Sequence, residues 1–198
     1  MVKIAVVYHS GYGHTEAQAK HVHKGAGSVD GVESVLYKVQ DVTEKPEQLN
    51  EYDGIIFGSP TYMGSVSAPF KAFMDGTSNL WFKQQWKDKV AAGFTNSGGL
   101  AGDKFNTLVQ LVTFAAQHSM IWVSLGLLSE SLDEKVATGD STSVNRIGSY
   151  LGAMAQSDNV SPDKAPPVGD LKTAELFGKR VAEITLRFTQ ASLRGQRG

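Results

Sequence analysis

The sequence predicts an α/β protein with a doubly wound parallel sheet of five strands and helices on both faces. Short apolar runs alternate with helical patterns along the chain, which is the order that a parallel sheet with crossover helices requires. About 23 residues separate the first two runs, enough for a right-handed crossover that carries a helix. With 198 residues and 41% hydrophobic content, the chain has the size of one domain with a sizeable core.

The individual elements follow from their residue patterns. Strands are predicted at residues 3–8, 32–39, 54–58, 90–94 and 120–125, and the main helices at 16–25, 68–75, 103–117 and 171–188. The run 54–58 is apolar, as in a central strand, whereas 32–39 alternates, as in an edge strand with one exposed face. Residues 129–169 break the pattern, and so long an irregular segment is usually functional or covered by a partner. The predicted domain spans 1–190, and 191–198 form a tail.

Composition excludes several classes of function. The formal net charge is −1 and the basic residues form no long cluster, so nucleic acid and anionic membranes are not expected partners. No run approaches the ~20 apolar residues of a membrane span, and the N-terminus lacks a signal-peptide pattern, so we expect a cytoplasmic protein. The chain has no cysteine, which excludes thiol catalysis, and its five histidines show no metal-site spacing, so no metal is expected.

A hydroxyl- and glycine-rich turn at residues 10–15 joins the first strand to the first helix. Helix N-termini bind phosphate because their first N–H groups lack internal partners and carry partial positive charge. The turn lacks the lysine of a P-loop and the third glycine of a dinucleotide fingerprint, which leaves Ser10 and Thr15 as donors to a terminal monophosphate. An ordinary strand-to-helix turn is the alternative, since serine and glycine are common in turns.

Two further loops follow the third and fourth strands, at residues 59–65 and 95–102. Ligands of open parallel sheets bind at the carboxyl ends of the strands, where these loops meet the first turn. Both loops are small, polar and nearly uncharged. Their backbone and hydroxyl groups suit a planar heterocycle with its own donors and acceptors.

These motifs together resemble the flavodoxin-like FMN proteins, and among them the WrbA-type NAD(P)H:quinone oxidoreductases. The resemblance spans most of the chain and departs from the family where Tyr62 replaces a basic residue and Met63 an aromatic one. It implies that FMN is bound by Ser10, Gly11, Tyr12, Gly13, His14, Thr15, Pro60, Thr61, Tyr62, Met63, Gly64, Thr95, Asn96, Ser97, Gly98 and Gly99. It further implies a homotetramer with flavin sites completed across subunit boundaries.

The resemblance also assigns roles to Trp81 and His118 as catalytic residues. Trp81 would form one wall of a slot for nicotinamide or quinone, and the alternative is packing in a hydrophobic lid. His118 ends a helix at the amino-terminal edge of the sheet, so it would contact FMN of a neighbouring subunit. The alternative is a histidine that interacts with the last carbonyls of its helix. Trp86 and Trp122 are assigned to packing.

The expected activity is transfer of two electrons from NADH or NADPH to a quinone by a ping-pong mechanism, with FMN supplying the reactive chemistry. A flavodoxin-type electron carrier and an FMN-binding regulatory or scaffold protein are the alternatives. Electron carriers of this fold are typically acidic so that they dock on basic partners, whereas this chain is almost neutral. The charge therefore favours the enzyme.

Overall fold

The computed structural model describes residues 1–195, and in that range a parallel sheet lies between two layers of helices. The strands are β1 (Val2–Tyr8), β2 (Val32–Lys38), β3 (Gly54–Tyr62), β4 (Ser65–Val66), β5 (Val90–Ser97), β6 (Ile121–Trp122) and β7 (Ala153–Gln156). The helices are α1 (His14–Gly27), α2 (Val39–Thr43), α3 (Ala68–Gly76), α4 (Ser78–Phe82), α5 (Lys104–Gln117) and α6 (Val168–Gly195), with 3-10 turns at Pro46–Glu51 and Glu130–Leu132. The strand order is β2-β1-β3-β5-β6, with β4 antiparallel to β3 and β7 parallel to β5.

The central strands are apolar because helices cover the sheet on both faces. Ile55 and Phe57 of β3 belong to the core cluster on one face, and Ile56 between them belongs to the cluster on the other. Alternate side chains of a strand point to opposite faces, so both faces must be apolar here. At the edge of the sheet, β2 pairs with β1 alone, which confirms the prediction from its alternating pattern.

The fifth strand position is divided between two short strands, which corrects the sequence-based prediction of one strand at residues 120–125. β6 pairs with the first residues of β5, and β7 pairs with its last four. Residues 123–152 are inserted between the two halves, so the irregular segment predicted at 129–169 contains a strand of the main sheet. Leu151 and Met154 of that segment pack against the core of their own chain, so a partner subunit is not needed to cover them.

Helices α1 and α6 pack together on one face of the sheet, while α3 and α5 lie on the other. Phe70, Phe73, Leu108 and Leu111 form part of the core under α3 and α5. A Cβ atom added to Gly25 of α1 would lie 1.8 Å from the carbonyl oxygen of Glu175 in α6. The two helix backbones are therefore too close for any side chain at this position.

The C-terminal helix is longer than predicted. α6 continues through residues 189–195, so most of the predicted tail at 191–198 is helical, and residues 196–198 lie outside the described residues. Among residues 1–195, we find no helix that combines the length and the apolar character needed to cross a bilayer.

Candidate functional site

A cavity of about 450 Å³ opens at the carboxyl ends of β1, β3, β5 and β7. The loops after these strands and the first turn of α1 form its walls. The lining residues are Ser10, Tyr12, His14, Thr15, Pro60, Thr61, Tyr62, Asn96, Ser97, Gly98, Ser157, Asp158, Asn159, Val160, Ser161 and Pro162. The structure therefore brings the three predicted loops to one place and adds a fourth.

The first loop is held in shape by its own serine. Gly13 precedes α1 with a φ of 90°, a conformation that favours glycine, and its N–H donates to Ser10 Oγ at 3.0 Å. The Ser10 hydroxyl keeps its own proton to donate, and Thr15 is buried in the first turn of the helix beside it. The N-terminus of α1 thus opens onto the cavity with the hydroxyl groups that the sequence predicted there.

Tyr62 belongs to the second loop, residues 59–65, and its side chain contacts the first loop. Its hydroxyl oxygen accepts a hydrogen bond from the Gly11 N–H, and burial raises the pKa of the phenol. A Cβ at residue 11 would be 2.6 Å from that oxygen, which explains the glycine. The rings of Tyr12 and Tyr62 meet edge to face with centroids 6.2 Å apart, and Tyr12 is 76% exposed at the rim of the cavity. The two tyrosines form an aromatic border on one side.

A buried set of threonines lies beneath the second and third loops. Thr61 Oγ1 is 2.8 Å from Thr95 Oγ1 and 2.7 Å from Thr107 Oγ1. These hydroxyl groups satisfy one another, and Thr95 lies behind the cavity wall rather than in its lining. The polar floor is neutral, as the loop compositions predicted.

Lys104 is a functional candidate that the sequence analysis missed. It is the first residue of α5 and fully buried, and its ammonium donates to Ser97 Oγ at 2.8 Å and to the Gly99 carbonyl at 2.5 Å. Burial lowers the pKa of Lys104 to about 8, an effect that the carboxylate of Asp170 opposes. A single lysine after a glycine-rich loop carries no clear sequence signal, because only the tertiary fold shows that it turns inward.

The fourth loop, residues 157–162, was also missed. His14 Nε2 is 2.7 Å from the Val160 carbonyl, and Asn96 Nδ2 donates to Ser157 Oγ at 2.8 Å, so this loop contacts both the first and the third. The available signal was the alternation at 153–156 followed by Ser, Asp, Asn and Pro, the pattern of a strand and its terminal loop. The long insertion before it obscured that pattern.

Asn96 carries a buried hydrogen-bond acceptor that lacks a donor among the described residues. Its side chain is buried in the cavity wall, and within residues 1–195 its Oδ1 atom has no hydrogen-bond donor. A buried polar atom without a partner is costly in free energy, so this atom indicates a ligand that supplies a donor. The isoalloxazine ring and the ribityl chain of FMN both carry such donors, so Asn96 fits that cofactor.

Several predicted site residues lie outside the cavity lining. Met63 is fully exposed, and Trp81 lies on α4 with 44% of its surface exposed. Their predicted contacts with flavin or substrate stay predictions. Gly11, Gly13, Gly64, Thr95 and Gly99 belong to the loops but do not line the cavity itself.

His118 occupies a place that neither sequence-based interpretation described. It caps α5 at the amino-terminal edge of the sheet, as predicted, but its ring is only 2% exposed and contacts no helix carbonyl. Nε2 is 2.9 Å from Thr77 Oγ1, and the ring lies tilted against Trp86 and edge to face with Phe114, with centroids 4.6 and 4.8 Å away. Burial lowers the pKa of His118 to about 4. In this conformation the ring is buried in the core of its own chain, and the predicted contact with another subunit's flavin stays a prediction.

The fold and the cavity define a flavodoxin-like α/β protein with its site at the carboxyl ends of the strands. Residues 11–132 match the family model described as NADPH-dependent FMN reductase. The chain therefore belongs to this family, and within it to the WrbA-type flavodoxin-like proteins, as the sequence motifs indicated.

Individual relatives extend over nearly the whole chain. It is 42% identical to flavodoxin FldP of Pseudomonas aeruginosa, with 93% of this chain and 97% of the relative covered. It is 33% identical to quinone-oxidoreductase QR2 of Triphysaria versicolor, with 96% and 98% covered. The crystal structure of a WrbA-like flavodoxin from Agrobacterium tumefaciens is 40% identical and superimposes with a TM-score of 0.73, covering 95% of this chain and 99% of that one.

Proposed function

We propose that this protein binds FMN in the cavity and transfers two electrons from NADH or NADPH to quinones. The observation that carries the proposal is the joint opening of the α1 N-terminus and the two uncharged loops at 59–65 and 95–102 onto one cavity. Ser10, Thr15 and the first N–H groups of α1 would hold the phosphate. Asn96 would accept a hydrogen bond from the cofactor, and the 97–99 loop would border its ring.

When bound, FMN supplies the hydride chemistry, and the chain supplies position and environment. The exposed ring of Tyr12 borders the cavity mouth, where a flat nicotinamide or quinone could stack. A cavity with a single mouth of this size favours binding of NAD(P)H and quinone one after the other, which is the order of a ping-pong mechanism. No side chain of the lining needs to act as a nucleophile, because the reacting atoms belong to cofactor and substrates.

The visible spectrum of the purified protein and its steady-state kinetics test this proposal. Bound flavin and oxidation of NADH or NADPH with benzoquinone are expected, with parallel double-reciprocal lines as the second substrate is varied. Absence of FMN binding would refute the whole proposal. Intersecting lines would refute the ping-pong order alone.

A flavodoxin-type electron carrier is the second candidate, and the 42% identical relative named as a flavodoxin favours it. A carrier would bind FMN in the same cavity but would not oxidise pyridine nucleotides at a useful rate. The near-neutral charge of the chain favours the enzyme, because docking on a basic redox partner benefits from an acidic surface. FMN binding without NAD(P)H oxidation would exclude the enzyme and leave the carrier and the regulatory or scaffold protein.

We also propose that the protein assembles as a homotetramer through the inserted segment. Leu128, Leu132 and Tyr150 of residues 123–152 are well exposed, and apolar groups of this size favour burial against another subunit. The oligomer is expected to persist at micromolar concentration, and quinone reductase activity to fall as dilution separates it. Sedimentation that shows a 21.3 kDa monomer with full activity would overturn the tetramer and, with it, the flavin sites shared between subunits that the family resemblance implies.

A further inference from the structure

The third loop, residues 95–102, is held from behind by donors that do not themselves line the cavity. The Gly98 carbonyl accepts from Gln156 Nε2 at 3.2 Å, and the Gly99 carbonyl accepts from Lys104 Nζ at 2.5 Å. A trans peptide is planar, so its N–H points opposite to its carbonyl. The N–H of Gly99 therefore faces away from Gln156, and the N–H of Leu100 faces away from Lys104. Ser97 and Gly98 of the same loop line the cavity, so these N–H groups lie next to the ligand site.

The same donors belong to a buried charged cluster behind the loop. Arg146 pairs with Asp170 through Nε at 2.8 Å and Nη2 at 3.1 Å, and the same Nη2 donates to Gln156 Oε1 at 3.0 Å. Asp170 also accepts from the Gln156 N–H at 2.8 Å. Arg146 and Lys104 contribute two positive charges and Asp170 one negative charge, so the buried cluster is positive by one. Asp158 at the cavity rim is exposed, and water screens its charge more strongly than that of the buried groups.

We propose that Lys104 is a positioning residue: through the third loop it aims backbone N–H groups at the bound cofactor and places positive charge behind them, which favours the reduced cofactor. The inference rests on the FMN binding proposed above. A hydride from NAD(P)H brings two electrons and one proton to the isoalloxazine. The product therefore carries one negative charge more than the oxidised ring unless it takes up a second proton. Oriented N–H groups and a buried cation stabilise charge that develops during such a step.

Lys104 lies at a place where a positive charge is costly. Its position at the start of α5 would ordinarily be unfavourable, because a helix N-terminus already carries partial positive charge. Burial adds a further penalty, as the lowered pKa of about 8 reflects. The two bonds of Lys104 to the loop offset part of both costs.

The test compares FMN affinity and two-electron potential in wild-type protein and three variants. Lys104→Met removes the ammonium and keeps the length of the side chain. Lys89→Met is the matched control, because Lys89 also donates two hydrogen bonds, to the carbonyls of Asn50 and Tyr52, but it lies just before β5, at the opposite end of that strand. Lys104→Arg keeps the charge.

We expect Lys104→Met to bind oxidised FMN about tenfold more weakly and reduced FMN about a hundredfold more weakly. The extra factor of ten corresponds to a two-electron potential lower by about 30 mV. Lys104→Arg should recover most of the potential, and Lys89→Met should leave both quantities unchanged. A loop that is merely loosened would weaken both redox states equally and leave the potential where it was, which would overturn the electrostatic role.

Other outcomes are equally decisive. Wild-type affinity and potential in folded Lys104→Met would overturn the proposal, and so would an equal shift in Lys89→Met. If Lys104→Met does not fold, Gln156→Met removes the tether to Gly98 together with the side-chain bonds to Asp158 and Arg146, and it should weaken FMN binding severalfold. Unchanged affinity there would contradict the loop mechanism. If wild-type protein binds no FMN at all, the proposed function fails first and this inference with it, whereas normal wild-type binding isolates the role of Lys104.

Discussion

Acidification should destabilise this protein through His118, a residue in its core. The ring is neutral when folded because burial lowers its pKa to about 4, from an ordinary value of 6.5. Protonation would place a cation against Trp86 and Phe114 without solvent. Since the folded pKa lies below the unfolded one, the unfolded chain binds more protons between these values.

The size of the effect follows from the shift. Stability from the neutral ring is fully present above pH 6.5 and is lost as the pH falls toward 4. A shift of about 2.5 units at 1.36 kcal/mol per unit gives about 3 kcal/mol. That is a large fraction of the total stability of an ordinary domain.

The assay is urea unfolding at constant ionic strength across pH 4–7 for wild-type protein and His118→Gln. Carboxylates titrate in both proteins, so they cancel in the difference between the two free energies of unfolding. That difference should shrink by about 3 kcal/mol from pH 7 to pH 4, because the variant lacks the titrating ring. Two parallel curves would refute the reasoning.

The same variant separates the two roles considered for His118. As a core residue that hydrogen-bonds Thr77, it affects stability but not the affinity of folded protein for FMN. As a contact with a neighbouring subunit's flavin, it affects FMN affinity in the assembled protein. A clear loss of affinity at unchanged stability would restore the catalytic assignment that the family resemblance implied.

Three further predictions concern the phosphate loop, the helix pair and the buried lysine. Ser10→Ala with Thr15→Ala should weaken FMN binding about 10- to 100-fold for each lost charge-assisted hydrogen bond, roughly 1.5–3 kcal/mol apiece; an unchanged equilibrium titration of the folded double variant would reject this loop as the phosphate site. Gly25→Ala should lower the free energy of unfolding by about 3 kcal/mol, because its Cβ would overlap a carbonyl of α6. Gly27→Ala is the control and should change that free energy little, because its Cβ would lie 3.7 Å from the nearest atom. Equal effects of the two variants in urea unfolding would contradict the packing argument. The free energy of unfolding of the wild-type protein should rise by up to about 3 kcal/mol relative to that of Lys104→Met between pH 8 and 10.5. The folded pKa of Lys104, about 8, lies below the ordinary 10.5, so the cost of the buried charge is relieved as the pH rises. A difference between the two free energies that does not change with pH would show that the ammonium carries no such cost.

The turn at residues 10–15 was predictable because every part of it is local. Residues 10–15 follow an apolar strand and precede a helix, so their composition and order define a strand–turn–helix junction without knowledge of distant contacts. The loops at 59–65 and 95–102 were found for the same reason. Parallel topology then required their ends to meet at one edge of the sheet.

Lys104, β7 and the loop at 157–162 depend on contacts between distant parts of the chain. β7 lies beside β5 although 30 inserted residues separate it from β6, and the pairing brings Ser157 to Asn96. Periodicity in a short window carries no information about such pairing. His118 shows the same limit, because its position on α5 was predicted correctly but the pocket formed by Thr77, Trp86 and Phe114 was not.

The sequence by itself determined the fold class, the central strands and the three loops that surround the ligand site, since hydrophobic periodicity and turn chemistry act over a few residues. Only the tertiary structure decided which side chains turn inward. Burial, charge pairing and hydrogen bonding between residues far apart in sequence place Lys104 behind the third loop and enclose His118 in the core. These contacts arise when the sheet is complete, and no segment of the chain contains them alone.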